Sequence, residues 1–104
     1  MSKISFQDLI NGEKPVLVDF TATWCGPCKA FAPVLQEFKD EMKEDVRIVK
    51  IDIDKNQEFA CQMGIRGVPT VHLYQKGELK WSASGVQTLG TLRNQFRALV
   101  PEKE

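Results

Sequence analysis

Residues 24–29 read WCGPCK, and this stretch places two of the chain's three cysteines, Cys25 and Cys28, three positions apart with a proline between them. A disulfide across so short a loop is worth about 2 kcal/mol in the chain-entropy relation, against about 3 kcal/mol for a loop of fifteen residues. The pair is therefore a weak structural crosslink. A metal site and a reversible dithiol are the two interpretations that remain.

Composition restricts the classes of function. The 104 residues, 42% of them hydrophobic, are enough for one compact core, so we predict a single domain over residues 1–104. The 14 basic and 14 acidic residues cancel, which argues against binding to nucleic acid or to an anionic membrane. No apolar run reaches the length of a signal peptide or a membrane span, so we expect a cytoplasmic protein. In a reducing compartment a close cysteine pair is more often catalytic, redox-sensing or metal-binding than structural.

The segments on either side of WCGPCK alternate between strand and helix. Residues 16–20 are apolar except for Asp19, as in a strand covered on both faces. From Pro27 to Met42, apolar residues recur every three or four positions, which predicts an amphipathic helix that Pro33 should kink. Residues 46–53 resemble a second central strand, and residues 56–63 a helix closed by Gly64.

The rest of the chain completes a mixed sheet. Residues 70–75 and 78–82 are strand-like and should pair antiparallel around a turn at Lys76-Gly77. A last helix over residues 89–99 should end at Pro101, and a short first helix should begin at Ser5, leaving residues 1–4 room for a very short strand. Parallel strands joined by right-handed crossovers, with helices on both faces, are the expected α/β architecture.

The position of the two cysteines at a strand-to-helix junction suggests their chemistry. Cys25 lies just ahead of the helix, where free backbone N–H groups and the positive end of the dipole favour a thiolate, the form that attacks disulfides. Cys28 lies one turn inside and should be more buried. We therefore assign Cys25 as the attacking nucleophile and Cys28 as the resolving thiol. Gly26 leaves Cys25 accessible, and Pro27 stiffens the turn without the loss of a hydrogen-bond donor.

The chain resembles the thioredoxin family in motifs that cover nearly its whole length: Val18-Asp19-Phe20, Trp24 to Lys29, Pro33, Lys50, Gly67-Val68-Pro69-Thr70, Gly77 and Gly85. The resemblance implies a thioredoxin fold, with a central mixed sheet of four or five strands flanked by helices. It also implies the reduction of disulfide-containing protein substrates through a reversible Cys25–Cys28 disulfide, without a bound cofactor or metal. Thioredoxin reductase and NADPH would recycle the dithiol, and we expect a monomer.

The resemblance also assigns roles to residues outside WCGPCK. Asp19 would be a buried carboxyl beneath the dithiol, with a raised pKa, that takes the proton from Cys28, and Lys50 would tune it. Pro69 would be cis and face the dithiol, which would leave the backbone of Val68 free to pair with an extended substrate. The implied substrate surface consists of Trp24, Gly67, Val68, Pro69 and Gly85.

Three residues depart from the motifs or lie outside them. Thr21 occupies a position where the family commonly has a large aromatic residue, which leaves the redox potential and the choice of partner open. We expect Cys61 to be an inert small residue and His72 to be structural or on the surface.

Three alternative functions remain at this point. A zinc-binding module could use Cys25, Cys28, Cys61 and His72, although the sequence has no second close pair of ligands. An oxidase or isomerase would keep the dithiol and differ in its redox potential. A non-enzymatic scaffold would bind its partner without either cysteine.

Overall fold

The structure is a computed structural model that describes residues 5–100. In this part of the chain the elements follow the predicted order, with ends that differ by at most two residues from the predicted ranges for strands and long helices. They are α1 (Phe6–Ile10), β1 (Val16–Thr21), α2 (Gly26–Met42), β2 (Arg47–Asp52), α3 (Gln57–Gln62), β3 (Thr70–Gln75), β4 (Glu78–Ser84) and α4 (Leu89–Leu99). The strand predicted for residues 1–4 and the helix stop predicted at Pro101 lie outside the described residues.

The four strands form one mixed sheet in the order β2-β1-β3-β4. β1 pairs parallel with β2 across the α2 crossover, and β3 pairs antiparallel with β4, both as predicted. β1 also pairs antiparallel with β3, which the sequence analysis did not predict. The prediction that residues 46–53 form a central strand is wrong for the sheet of residues 5–100, because β2 is its outer strand. Every residue of β2 is accordingly half-buried or exposed, whereas β1 is buried from Val16 to Phe20.

Side chains alternate between the two faces of β1, so its apolar run serves two cores. Leu17 faces α2 and α4 in a cluster that includes Phe31, Leu35, Phe38, Leu92 and Phe96. Phe20 faces the other way, into a cluster that includes Ile10, Val16, Val18, Tyr74 and Phe59 of α3. Helices therefore cover both faces of the sheet, as predicted. Asp19, two residues after Leu17, shares the α2 face of the strand.

The predicted turn at Lys76-Gly77 connects β3 to β4. Both residues have positive φ, 56° and 80°, which is the backbone geometry of tight primed hairpin turns. The turn is tied to the end of the first helix, because the Gly77 N–H donates to the Ile10 carbonyl at 2.8 Å and the Lys76 N–H donates to the Gly12 carbonyl at 2.8 Å. Among residues 5–100, no helix is long and apolar enough to cross a membrane.

Candidate active site

Cys25 and Cys28 lie where β1 leads into α2, and they form a disulfide with 5.3 Å between the two Cα atoms. Cys25 is the N-cap of α2 and has an extended backbone; its Sγ accepts a hydrogen bond from the Cys28 N–H at 3.1 Å. Gly26 and Pro27 open the first turn, where the proline replaces an N–H that would lack a helical partner. The first-turn N–H groups and the helix dipole therefore point toward the Cys25 sulfur.

Both cysteines are buried in this oxidised site. Cys25 is 3% exposed and Cys28 is 7% exposed, so the prediction that Cys28 is the more buried of the two is wrong for the disulfide form. The cover comes from elements distant in sequence, since Ile53 after β2 and Val68 before β3 pack against the pair. The disulfide thus lies in an apolar setting, with Val68 and Ile53 packed against it.

The Val68–Pro69 peptide bond is cis, as predicted. Beside the disulfide, the Val68 carbonyl oxygen is 3.7 Å from the Cys25 Sγ.

Two hydrogen bonds fix the segment around Pro69. The Gly85 N–H, in a residue with φ of +88°, donates to the Pro69 carbonyl at 2.8 Å. The Thr70 hydroxyl donates to the Gly67 carbonyl at 2.7 Å. These hydrogen bonds bring Gly67, Pro69 and Gly85 together next to Val68, with Gly67 and Gly85 exposed and Pro69 buried.

Trp24, on the other side of Cys25, is 67% exposed. Its indole Nε1–H donates to the Asp54 Oδ2 at 2.8 Å, and the loop that carries Asp54 is ordered by Asp52, whose Oδ1 accepts from the Asp54 N–H at 2.8 Å. The sequence analysis did not identify Asp54. The signal was available, because β1 and β2 are parallel and the residues that follow each strand, Trp24 and Asp54, must meet at the same edge of the sheet.

Asp19 is 4% exposed and its Oδ1 has no hydrogen-bond partner within the described residues. Burial raises the pKa of this carboxyl to about 6, and the positive charge of Lys50 acts in the opposite direction. Lys50 is exposed and lies opposite Asp19 in the pairing of β1 with β2. No hydrogen bond joins Asp19 to Cys28 in the part of the chain that the structure describes.

The remaining candidates lie apart from the disulfide. Thr21 is half-buried at the end of β1, where its carbonyl accepts from the Ile53 N–H at 2.9 Å. Cys61 is a free thiol exposed on α3, and His72 is buried and hydrogen-bonded to Tyr74. Residues 5–100 contain no group of three or more Cys, His, Asp or Glu side chains placed to bind a metal, so the ligands of the zinc alternative are not brought together.

A disulfide across the first turn of a helix, with a cis-proline segment beside it, defines the site of a thiol–disulfide oxidoreductase. The comparisons with known proteins agree. The thioredoxin family model matches residues 1–98, and the chain belongs to the thioredoxin family, whose members reduce disulfides with a redox-active cysteine pair.

Similar proteins from several organisms cover most of the chain. Thioredoxin from Alicyclobacillus acidocaldarius is 46% identical over 77 residues, which are 74% of this chain and 73% of that protein. The bifunctional thioredoxin reductase/thioredoxin of Mycobacterium leprae is 40% identical over 92% of this chain and 21% of its own length. Among solved structures, a mutant thioredoxin from Halobacterium salinarum superposes with a TM-score of 0.84 at 32% identity, covering 100% of this chain and 90% of that one.

Proposed function

We propose that this chain reduces disulfides in other proteins by cycling Cys25 and Cys28 between dithiol and disulfide, and that a thioredoxin reductase restores the dithiol with electrons from NADPH. The observation that carries the proposal is the position of Cys25. Its sulfur is the N-cap acceptor of α2, is bonded to Cys28, and lies 3.7 Å from the Val68 carbonyl of the cis-proline segment.

The first step is attack by Cys25. In the reduced protein, the Cys28 N–H and the α2 dipole stabilise the Cys25 thiolate. The thiolate forms a bond to one sulfur of the substrate disulfide and breaks the substrate S–S bond. The second substrate sulfur leaves as a thiolate that takes a proton from solvent. The product is a mixed disulfide between Cys25 and the substrate.

The second step is resolution by Cys28. Its thiol gives its proton to the Asp19 carboxylate, and its sulfur attacks the Cys25 Sγ, which forms the Cys25–Cys28 disulfide and releases the remaining substrate thiolate. Because no hydrogen bond joins Asp19 to Cys28, the proton passes through water. A pKa of about 6 suits this role, since most Asp19 carboxyls are ionised at neutral pH yet still bind protons. Lys50 tunes this pKa downward by its charge.

The substrate segment binds beside Cys25. An extended chain pairs with the backbone of the half-buried Val68, in the manner of strand addition. The surface for this chain consists of Trp24, Gly67, Val68, Pro69 and Gly85. Support comes from the hydrogen bonds that fix this segment and from the exposure of the Trp24 ring.

Recycling by a thioredoxin reductase is supported by one relative, because the Mycobacterium leprae protein is named as a thioredoxin reductase and a thioredoxin in one chain. For this chain we propose a thioredoxin reductase as the partner. The expectation of a cytoplasmic monomer without nucleic-acid or membrane partners rests on the sequence and stays a prediction.

Turnover of insulin disulfides tests the proposal, first with dithiothreitol and then with NADPH and a thioredoxin reductase as the electron source. Cys25→Ser should abolish turnover, and Cys28→Ser should accumulate mixed disulfides because attack remains possible but resolution does not. Cys61→Ser is the matched control, since Cys61 is a free, exposed thiol outside the site. Unchanged turnover in Cys25→Ser or Cys28→Ser would rule out the mechanism.

A further inference from the structure

A polar pocket of about 360 Å³ opens beside the outer half of the sheet, between β4 and the segment that links α3 to β3. Its floor comes from the antiparallel pairing of β3 with β4. Thr70 lies opposite Ser84 and His72 lies opposite Ser82, so the four side chains share one face of the two strands. Arg66 borders the pocket from the linking segment.

His72 is the buried polar group of this pocket. The residue is only 7% exposed, and its Nδ1 is 3.0 Å from the hydroxyl oxygen of Tyr74, which is 4% exposed. Nδ1 offers the only hydrogen-bond acceptor found for the Tyr74 hydroxyl within residues 5–100. A buried hydroxyl that donates to nothing is costly, so Tyr74 donates to Nδ1 and the ring proton resides on Nε2. The Nε2–H is left without a partner in the described residues, on a ring that lines the pocket.

Three further donors of the pocket, on Arg66, Ser82 and Ser84, are exposed, whereas the Thr70 hydroxyl already donates to the Gly67 carbonyl. The side-chain hydroxyls of Ser82 and Ser84 make no hydrogen bond within the described residues, and Arg66 makes no ion pair there. Arg66 also borders a neighbouring groove that contains Asp54, but the two side chains form no salt bridge. None of the described residues that line the pocket is acidic.

We propose that this pocket binds an oxyanion, either a carboxylate or a phosphate group. Arg66 supplies the positive charge, and the His72 Nε2–H with the hydroxyls of Ser82 and Ser84 supplies the remaining donors. The site does not use the redox chemistry of Cys25 and Cys28. The group has two possible sources, a free anion or an acidic side chain of a protein bound at Val68, because Thr70 and Ser84 are neighbours of Pro69 and Gly85.

Titration of the oxidised, isotope-labelled protein with inorganic phosphate at constant ionic strength tests the site by NMR. We expect saturable shifts of the His72 Nε2–H and of the backbone amides of Ser82 and Ser84. Arg66→Ala should weaken phosphate binding about tenfold, which is the loss expected for one charge-assisted hydrogen bond. The Ser82→Ala/Ser84→Ala double variant, which retains the charge, should also weaken it.

Arg47→Ala is the matched control, because Arg47 is exposed on β2, the opposite outer strand of the described sheet, and its loss changes the net charge equally. If phosphate binding weakens as much in Arg47→Ala as in Arg66→Ala, the change in net charge alone explains the loss, and the proposal is overturned.

A second measurement identifies the source of the oxyanion and rests on the proposed function. Two disulfide-containing peptides that differ only by Glu or Gln next to the disulfide are compared as substrates. If the Glu peptide is reduced faster than the Gln peptide and Arg66→Ala removes this difference, the oxyanion comes from a substrate side chain. Equal rates together with saturable phosphate binding identify a free anion. Equal rates without saturable phosphate binding overturn the proposal, and because turnover itself is observed, this failure is distinct from failure of the reductase function.

Discussion

Asp19 on β1 lies directly opposite Lys50 on β2, yet the aspartate is 4% exposed and the lysine reaches solvent. The Asp19 carboxyl group is therefore desolvated, while water screens the positive charge of Lys50. Burial dominates, and it raises the pKa of Asp19 to about 6 despite the opposing effect of Lys50. Asp19, with a pKa of about 6, thus lies on the face of the sheet against which α2, the helix that carries the disulfide, packs.

Replacing Asp19 should stabilise the protein at neutral pH. The pKa of Asp19 in the folded state, about 6, exceeds the ordinary aspartate value of 3.8, so the favourable contribution of Asp19 is complete below pH 3.8 and is lost as the pH rises through 6. We expect Asp19→Asn to raise the free energy of unfolding by about 2 kcal/mol at pH 7, and by much less at pH 4. Urea unfolding of the oxidised protein at both pH values measures the difference.

Asp45→Asn is the control for this experiment, because Asp45 is exposed in the turn after α2 and its replacement removes the same charge. Lys50→Gln should move the Asp19 transition to higher pH, since a charge that lowers its pKa is lost. If the free energies of unfolding of the wild type and Asp19→Asn differ by the same amount at pH 4 and pH 7, the raised pKa of Asp19 is contradicted.

Asp54 should position the Trp24 ring for substrate binding. Asp54→Ala removes the acceptor of the 2.8 Å indole hydrogen bond, so we expect the KM for insulin to rise about threefold to fivefold with little change in kcat. The indole N–H resonance of Trp24 should shift, while that of Trp81 on β4 serves as an internal reference.

Asp54→Asn retains an acceptor oxygen and should restore most of the affinity for insulin. If Asp54→Ala leaves both the Trp24 resonance and the KM unchanged, the hydrogen bond has no positioning role.

Much of the fold could be predicted because its signals are local. The apolar run from Val16 to Phe20, interrupted only by Asp19, indicated a strand covered on both faces, and both faces are covered. The Lys76-Gly77 pair indicated a tight turn, and both residues have positive φ. The site residues next to the disulfide, including cis-Pro69, came from the family resemblance, since a peptide isomer leaves no trace in local composition.

Two of the features that were missed depend on contacts between distant segments, and a third is local to β3. Ile53 and Val68 bury Cys25, and no pattern around WCGPCK encodes their approach. The outer position of β2 depends on strand order, which its apolar sequence does not specify. The hydrogen bond between His72 and Tyr74 requires two alternate residues of β3 to share a buried face, and the sequence analysis considered His72 without its neighbour.

Gly77 should tolerate no side chain without a loss of stability. Its φ is +80°, and a Cβ atom there would lie 3.0 Å from the Asn11 Oδ1 and 3.1 Å from the Gln7 Nε2. We expect Gly77→Ala to lower the free energy of unfolding by about 1–2 kcal/mol, measured by urea denaturation.

Gly12→Ala is the matched control for Gly77→Ala, because a Cβ at Gly12 meets no atom within 4 Å. Equal stabilities of the two variants would show that neither the backbone geometry nor the contact with α1 restricts the turn.

His72 should make the fold sensitive to acid, in the direction opposite to Asp19. Burial lowers the pKa of His72 below its usual 6.5, so its favourable contribution is complete above pH 6.5 and is lost as the pH falls toward the pKa of the folded state. Because protonation of Asp19 stabilises the fold over the same range, the effect of His72 is isolated in an Asp19→Asn background.

In the Asp19→Asn background, we expect the urea concentration at the unfolding midpoint to be lower at pH 5 than at pH 7. His72→Leu should remove most of that difference. Glu41 and Glu78 do not obscure the result, because their hydrogen-bonded partners hold their pKa values below 4.5. Tyr74→Phe serves as a second variant, since it keeps the imidazole but removes the hydroxyl 3.0 Å from Nδ1. A fall that persists unchanged in His72→Leu would show that a group other than the imidazole binds the proton on unfolding.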